Sequence, residues 1–545
     1  MKPSTMLSRL FLFLLLGLVI AACGGGSANE DDGGDENSAP IAQATSAVAN
    51  DGGEEVSDDE SAEEPAYEPA EEPAPISVAP FTPPNEQPAL ATPSATEFQD
   101  YGVNPFVLTS ADNLSTFSLD VDTGSYSLAR GWLDDGLMPP PDAVRVEEFI
   151  NYFEQGYRIP DNAAFALYAD GAPSPFHNDG TIFVRIGVQG YEVAEVDRDA
   201  AALTFVIDVS GSMAEGNRLE IVKESLHTLV DRLRPEDTVA IVSYNTSARI
   251  VLNPTPANDR NTILNAIYTL SPSGSTNLEE GLLLGYQLAN QAYKAGGINR
   301  VILASDGVAN VGNTTADAIL GQSRSYADAG IYLTSIGVGM GNYNDVMLEQ
   351  LADQGEGNYY YVDTLEEAET VFVDNLTSTL QVIALDAKIQ VEFDPQVVQQ
   401  YRLIGYENRA IADQDFRNDE VDAAEFGAGH TAAAIYAIQL HPGVQGRIAT
   451  VNLRWQDPDT RQVTEINGQF TTDNLATSFD SASPYLQLAI LVAEFAELLR
   501  QSPYTGQLTL TDLRIRVERL LSPLDSNIKV ADLAAMVAQA ESAQR

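Results

Sequence analysis

The chain has 545 residues, 44% hydrophobic and 20% charged, enough for roughly three folded domains with buried cores. Its 29 Lys and Arg stand against 79 Asp and Glu, a formal net charge of -50. That carboxylate excess excludes nucleic acid and anionic membrane surfaces as docking partners, and it gives the exterior an affinity for cations.

Residues 1–22 read as an export signal. Lys2 and Arg9 precede an apolar run from Leu10 to Ile20, and Ala21 and Ala22 close it with small side chains. The run is short for a membrane span. Cys23 follows, the single cysteine of the chain. The stretch VIAAC resembles the lipobox of bacterial lipoproteins, which implies that Cys23 becomes the lipidated first residue of an exported, membrane-anchored protein. With Cys23 lipidated, no cysteine remains for disulfides, a thiol enzyme or a thiolate metal site. Residues 23–105 are rich in Gly, Ala, Pro, Ser, Asp and Glu and lack Lys and Arg. Such a segment buries too little apolar surface to fold, and it is predicted to be a disordered acidic tether with an r.m.s. reach of roughly 50 Å.

Residues 106–198 form an N-terminal flank. YSLARGWLDDG has helical character, and AFALYAD and TIFVRIGVQG read as strands. The stretch LDVDTGS carries the Asp-Thr-Gly-Ser of aspartic peptidases at Asp122. That chemistry needs two such loops so that two carboxylates share a proton, and one copy is present. Asp122 is read as a turn and helix-cap residue.

Between 199 and 381 short apolar runs alternate with helical periodicity. LTFVID, TVAIVSYN, RVILASDG, IYLTSIGVG and NYYYVD are strand-like, with helices predicted at Arg218–Leu233, Leu278–Lys294, Thr315–Ala329, Asn344–Gln354 and Thr364–Leu380. Asn217 with Glu220, Asn277 with Glu280 and Thr364 with Glu367 have capping-box spacing. The alternation predicts an α/β, Rossmann-like domain: a mostly parallel sheet with helices on both faces and ligands at the carboxyl ends of its strands.

Three stretches fall at those ends. FVIDVSGSMAEG places Asp208, Ser210 and Ser212 at every second position, so that an extended segment aims all three one way. SGSTN puts Thr276 in a Gly/Ser-rich loop before a helix, and LASDG puts Asp306 after another strand. Three hydroxyls and two carboxylates at one edge are hard oxygen donors, suited to Mg²⁺ first, with Mn²⁺ or Ca²⁺ as alternatives, and not to zinc. None of the four histidines, His177, His227, His430 and His441, falls in these loops, and SIGVGMG lacks the lysine of a phosphate loop.

Asp-x-Ser-x-Ser, a Thr in a Gly-Ser-Thr-Asn loop and then Ser-Asp-Gly resemble, in that order, the metal-ion-dependent adhesion site of the von Willebrand factor type A domain. The resemblance covers about 180 residues. It implies that Ser210, Ser212 and Thr276 are hydroxyl ligands, that Asp208 and Asp306 bind directly or through water, and that a partner's acidic side chain completes the shell. Ser305 stands where many members have Thr.

After the central domain, DAKIQVEFDP, RLIGYEN, TAAAIYAIQL, RIATVNLRWQ and VTEINGQF read as half-buried strands in a β-rich domain over 382–478. The two β-rich flanks are expected to pair into one sandwich-like domain with the central domain inserted. Residues 479–545 read as helical, from YLQLAILVAEFAELLR, LTDLRIRVERLL and VADLAAMVAQA. Together with PPPDAVRVEEFINYF and FGAGHTAAAIYAI, this order resembles a bacterial lipoprotein family with a type A domain between family-specific flanks. Two functions follow as expectations, neither of them enzymatic. The first is a tethered receptor or adhesin that binds a protein partner through the ion. The second is an envelope scaffold whose ion only stabilises the fold.

Overall fold

All eight residues of Ala201–Asp208 are buried, so this strand lies at the centre of a sheet covered on both faces. The structure, a computed structural model, describes residues 98–544 apart from 308, 322, 323, 340–343, 375, 525 and 526. The signal segment, Cys23 and nearly all of the tether lie outside the described residues. Among the described residues no helix is long and apolar enough to cross a membrane.

The described residues open with β1 (Val107–Leu108), β2 (Leu114–Ser118), α1 (Gly124–Asp134), α2 (Val146–Asn151), β3 (Phe165–Pro173) and β4 (Ile182–Gly190). The central region runs β5 (Ala201–Asp208), α3 (Arg218–Arg232), β6 (Thr238–Tyr244), β7 (Ala248–Pro256), α4 (Arg260–Tyr268), α5 (Leu278–Gln291) and β8 (Ile298–Ser305). It continues through α6 (Ala316–Leu320), α7 (Arg324–Asp328), β9 (Tyr332–Val338), α8 (Asp345–Gln354), β10 (Tyr359–Val362), α9 (Leu365–Glu369) and α10 (Leu376–Leu380). Strands β11 (Val382–Phe393), β12 (Val398–Ile404), β13 (Phe426–Gly427), β14 (Thr431–Leu440), β15 (Arg447–Gln456) and β16 (Val463–Thr471) follow, then helices α11 (Pro484–Leu499), α12 (Leu510–Leu520) and α13 (Ile528–Ala543).

The central sheet has the order β10-β9-β8-β5-β6-β7. The pairings from β10 to β6 are parallel and the β6–β7 edge is antiparallel. One face packs Phe205 and Ile207 against Leu226 and Leu229 of α3. The other packs Val206 and Val242 against Leu278 and Leu282 of α5. Because β8 and β6 lie on opposite sides of β5, the strand order reverses there, which is where open α/β sheets leave a crevice at their carboxyl ends.

Strands from both flanks share two further sheets. One has the order β1-β12-β14-β4-β3; in the other β11 pairs with β2, β13 and β15, and β16 lies beyond β15. Strand β14 departs from the half-buried pattern: most of its residues are buried, as are those of its neighbour β4. Ala432, Ala434, Tyr436 and Ile438 face the second sheet, while Ala433, Ile435 and Ala437 face a core built by α2 and α11–α13. The C-terminal helices therefore supply a third layer, which explains an apolar run where alternation would mark a solvated face.

Three helical expectations are corrected. Asn217 has φ 60° and makes no side-chain cap bond, and Glu220 pairs with Lys223 instead. Asn277 and Thr364 do accept the backbone N–H of Glu280 and Glu367. The helix expected over Thr364–Leu380 is interrupted by a π turn at Thr370–Asp374, a β-branched and aromatic stretch of weak α propensity. Thr315–Ala329 divides into α6 and α7, with Gly321 directly after α6.

Candidate metal centre

Parallel register sets the centre of the site. Ile207 of β5 pairs with Ala304 of β8, so Asp208 leaves the sheet beside Ser305 and Asp306. Asp208 is fully buried and both its oxygens are held. Oδ1 accepts the Ser210 backbone N–H at 2.8 Å, and Oδ2 accepts the Ser305 hydroxyl at 2.9 Å. Ser305 Oγ in turn accepts the Gly307 N–H at 3.0 Å. The residue that departs from the commoner Thr thus orients Asp208.

The route to Ser212 differs from the pleated geometry expected of an extended segment. The strand ends at Asp208, whose own carboxylate closes a tight turn onto Ser210, and Ser212 sits in a 3₁₀ segment. The hydroxyls of Ser210 and Ser212 still meet, Oγ to Oγ at 3.0 Å. The turn, not the pleat, brings them together.

Backbone bonds draw the Thr276 loop onto this turn. Gly211 N–H donates to Gly274 O at 3.0 Å, and Ser273 N–H to Val209 O at 2.7 Å. Gly274 has φ +81°, and a Cβ there would lie 2.8 Å from Thr246 Oγ1, so a glycine is needed for the approach. Thr276, itself buried, donates its N–H to Asn310 Oδ1 at 2.8 Å, and its carbonyl accepts the N–H groups of Asn310 and Val311. The loop after Asp306 is thereby laced to the loop carrying Thr276. All five residues singled out in the sequence fall in three loops tied to one another at one sheet edge.

The edge is strongly electronegative. Burial and the nearby Asp306 push the Asp208 carboxyl up to about 7, against the hydrogen bonds from Ser210 and Ser305. Arg218 Nη1 reaches Asp306 Oδ2 at 3.1 Å and the Ser212 carbonyl at 3.3 Å. Two buried carboxylates beside hydroxyl oxygens fit a hard divalent cation, which would relieve their mutual repulsion without requiring a nitrogen or sulfur ligand.

Sequence reading missed Ser305 as an orienting residue, Asn310 as a clasp and Arg218 as an ion-pair partner. Ser305 lies inside the Ser-Asp-Gly stretch, but that stretch does not show that its hydroxyl reaches Asp208; Asn310 and Arg218 carry no motif signal. The one available hint was a cation in the first turn of a helix, where the helix dipole disfavours it.

Other candidates fall elsewhere. Asp122 is buried, with Oδ1 accepting the Tyr359 N–H at 3.0 Å and Oδ2 facing Arg409 at 3.4 Å, so it fastens the flank to β10. His177 pairs with Glu494 at 3.1 Å. Burial, with Arg300 nearby, pushes the His430 imidazole down to about 4. Glu356, Asp422 and Glu425 form a separate acidic group with carboxylate oxygens within 4.8 Å of one another. It joins Glu356 to Asp422 and Glu425, far along the chain, which no local pattern could reveal.

Residues 202–374 match the von Willebrand factor type A domain, and residues 92–184 match a family described as von Willebrand factor. Residues 378–445 and 443–543 match the family described as "Uncharacterized protein YfbK, C-terminal". Over 443 residues, 76% of each chain, the sequence is 35% identical to the Uncharacterized protein YfbK of Escherichia coli (strain K12). The chain belongs to the YfbK family. A shorter stretch of this YfbK-family chain, 163 residues or 28% of it, is 32% identical to inter-alpha-trypsin inhibitor heavy chain H2 of Mesocricetus auratus, and spans 17% of that protein. Among solved structures, the von Willebrand factor type A protein from Catenulispora acidiphila aligns with a TM-score of 0.41 and 16% identity, over 70% of this chain and 90% of that one.

Proposed function

We propose that this YfbK-family chain is a lipid-anchored, extracytoplasmic receptor or adhesin, not an enzyme, that binds a protein partner through a divalent cation. Asp208, Ser210, Ser212, Thr276 and Asp306 would hold the ion, with Mg²⁺ as the first candidate and Mn²⁺ or Ca²⁺ as alternatives. The observation that carries this reading is the joining of three loops around two buried carboxylates at the carboxyl edge of the central sheet. A cation bound by few charged ligands stays electrophilic, so a carboxylate from a partner is the natural completing ligand. The bonds fixing Asp208 and Thr276 would hold the ligands in place before the partner arrives. Cys23 is the lipidation site, and the acidic segment after it is the spacer that separates the binding edge from the membrane.

The test is capture from envelope extract by the full chain in Mg²⁺ against EDTA, for wild type and Asp208→Ala. Magnesium-dependent capture lost in Asp208→Ala supports the receptor. A melting temperature that responds to Mg²⁺ without any captured protein favours the scaffold instead. No response of either kind removes the metal site. For the anchor, Cys23→Ser should shift the protein from the membrane fraction to the soluble one; unchanged partition would refute lipidation at Cys23.

A further inference from the structure

Arg218 occupies a place that helix electrostatics disfavours. It is the first residue of α3, where unpaired backbone N–H groups make the helix end positive. Its side chain is nevertheless 4% exposed, beside an Asp306 side chain that is 0% exposed. Two consecutive left-handed residues, Gly216 at φ 57° and Asn217 at φ 60°, turn the chain from the 3₁₀ segment that holds Ser212 into α3. Gly339, at φ +87°, then leaves the side chain room: a Cβ there would lie 1.9 Å from Arg218 Nε. The Nη1 group bridges Asp306 Oδ2 and the Ser212 carbonyl, one contact on each of two loops of the metal centre.

We infer that Arg218 is a built-in counter-cation of this site, sharing Asp306 with the divalent ion and holding the affinity for that ion down. The inference rests on the metal-site reading above. Without the guanidinium, the buried Asp208 and Asp306 carboxylates, which repel each other, lose the positive charge of this bridge, and more of their repulsion is left for the ion to relieve. With it, one carboxylate is already compensated, and the arriving ion also meets a fixed positive charge. Arginine and ion are therefore antagonists: each binds the carboxylate pair less tightly in the presence of the other, by the same factor in both directions. Arg218 does not reach the partner, being buried; it is a positioning residue that acts through Asp306. The functional consequence is a site loaded by ordinary ionic conditions and emptied when the cation falls, not one that traps its ion.

The experiment is calorimetric titration of the full chain with Mg²⁺, for wild type, Arg218→Gln and Arg218→Lys, beside thermal melts in Mg²⁺ and in EDTA. Glutamine keeps a donor for Asp306 without the charge. Its Mg²⁺ Kd should fall by about tenfold or more, and its melting temperature in EDTA should drop, so that Mg²⁺ raises it further than in wild type. Lysine keeps the charge and should bind within about threefold of wild type. An Arg218→Gln variant that folds only in Mg²⁺ is the same result in stronger form. A glutamine variant with unchanged or weaker affinity overturns the inference, as does one that folds in neither condition, which would make Arg218 a structural residue. A wild type that binds no Mg²⁺ refutes the metal site itself, a result visible before any variant is made.

Discussion

The Arg145 guanidinium donates to the Asp345 carboxylate at 2.5 Å, joining the N-terminal flank to the first turn of α8 in the central domain. Both side chains are buried, and Arg145 also engages Glu148 beside it and Glu349 one turn further along α8 at 3.5 Å. Arg409, from the other flank, takes Glu349 and Asp353 on the same helix face. Helix α8 starts next to the candidate metal centre, since Asn344 N–H donates to the Asp306 carbonyl at 3.4 Å. The flanks thus grip the helix that borders the site.

Removing one side of this grip leaves buried charge without its partner. Arg145→Met should lower unfolding free energy by about 3–5 kcal/mol, because Asp345 and Glu148 are then uncompensated. Urea denaturation checks this; a loss below about 1 kcal/mol would mean that the acids take up protons or rearrange instead.

The Asp208 carboxyl, raised to about 7 from an ordinary value of 3.8, predicts a pH effect with a definite sign. A raised folded-state value means that the native state binds the extra proton. In EDTA the group costs nothing below about pH 3.8 and destabilises progressively until about pH 7. Asp208→Asn should therefore be more stable than wild type in EDTA at pH 8, by about 2–4 kcal/mol, and nearly equal to it at pH 4. Paired urea melts at the two pH values decide this. Equal stability at pH 8 would show that Asp208 is ionised at little cost.

Magnesium at one hundred times its Kd should stabilise the wild type by about 2.7 kcal/mol. Thr276→Val keeps the shape but removes the hydroxyl, and should lose most of the magnesium-induced rise in Tm while melting close to wild type in EDTA. A full response in the valine variant would exclude Thr276 as a ligand.

Gly285 lets α5 lie close to β5. An added Cβ would stand 2.3 Å from Val206 Cγ2, so Gly285→Ala should push the helix outward and destabilise by about 1–3 kcal/mol. Because α5 follows directly from the Thr276 loop, the same variant should weaken the Mg²⁺ affinity. Unfolding and titration on one sample separate the two effects.

Much of this molecule is written locally. The strands of the central sheet were legible because short β-branched runs separated by helical periodicity leave few other ways to bury apolar surface. The edge strand β7 and helix α4 were not read. In β7 only Leu252 is buried, so an edge position gave no apolar run to follow. The third layer over β14 and β4 was missed because a doubly buried strand and a half-buried one differ only in what covers their outer face, and that cover comes from α11–α13, far along the chain.

The sequence by itself determined which oxygen donors the candidate site offers: Asp208, Ser210, Ser212 and Asp306 follow the ends of β5 and β8, and Thr276 lies in the loop between α4 and α5. The tertiary structure alone decided what surrounds them. Ser305 orienting Asp208, Asn310 clasping the Thr276 backbone, Arg218 bridging to Asp306 and the arginine grip on α8 are contacts brought together only by the parallel register and the flanking layers. Residue type and spacing report what a short segment can do alone; an ion pair across 88 residues depends on where two strands happen to lie side by side.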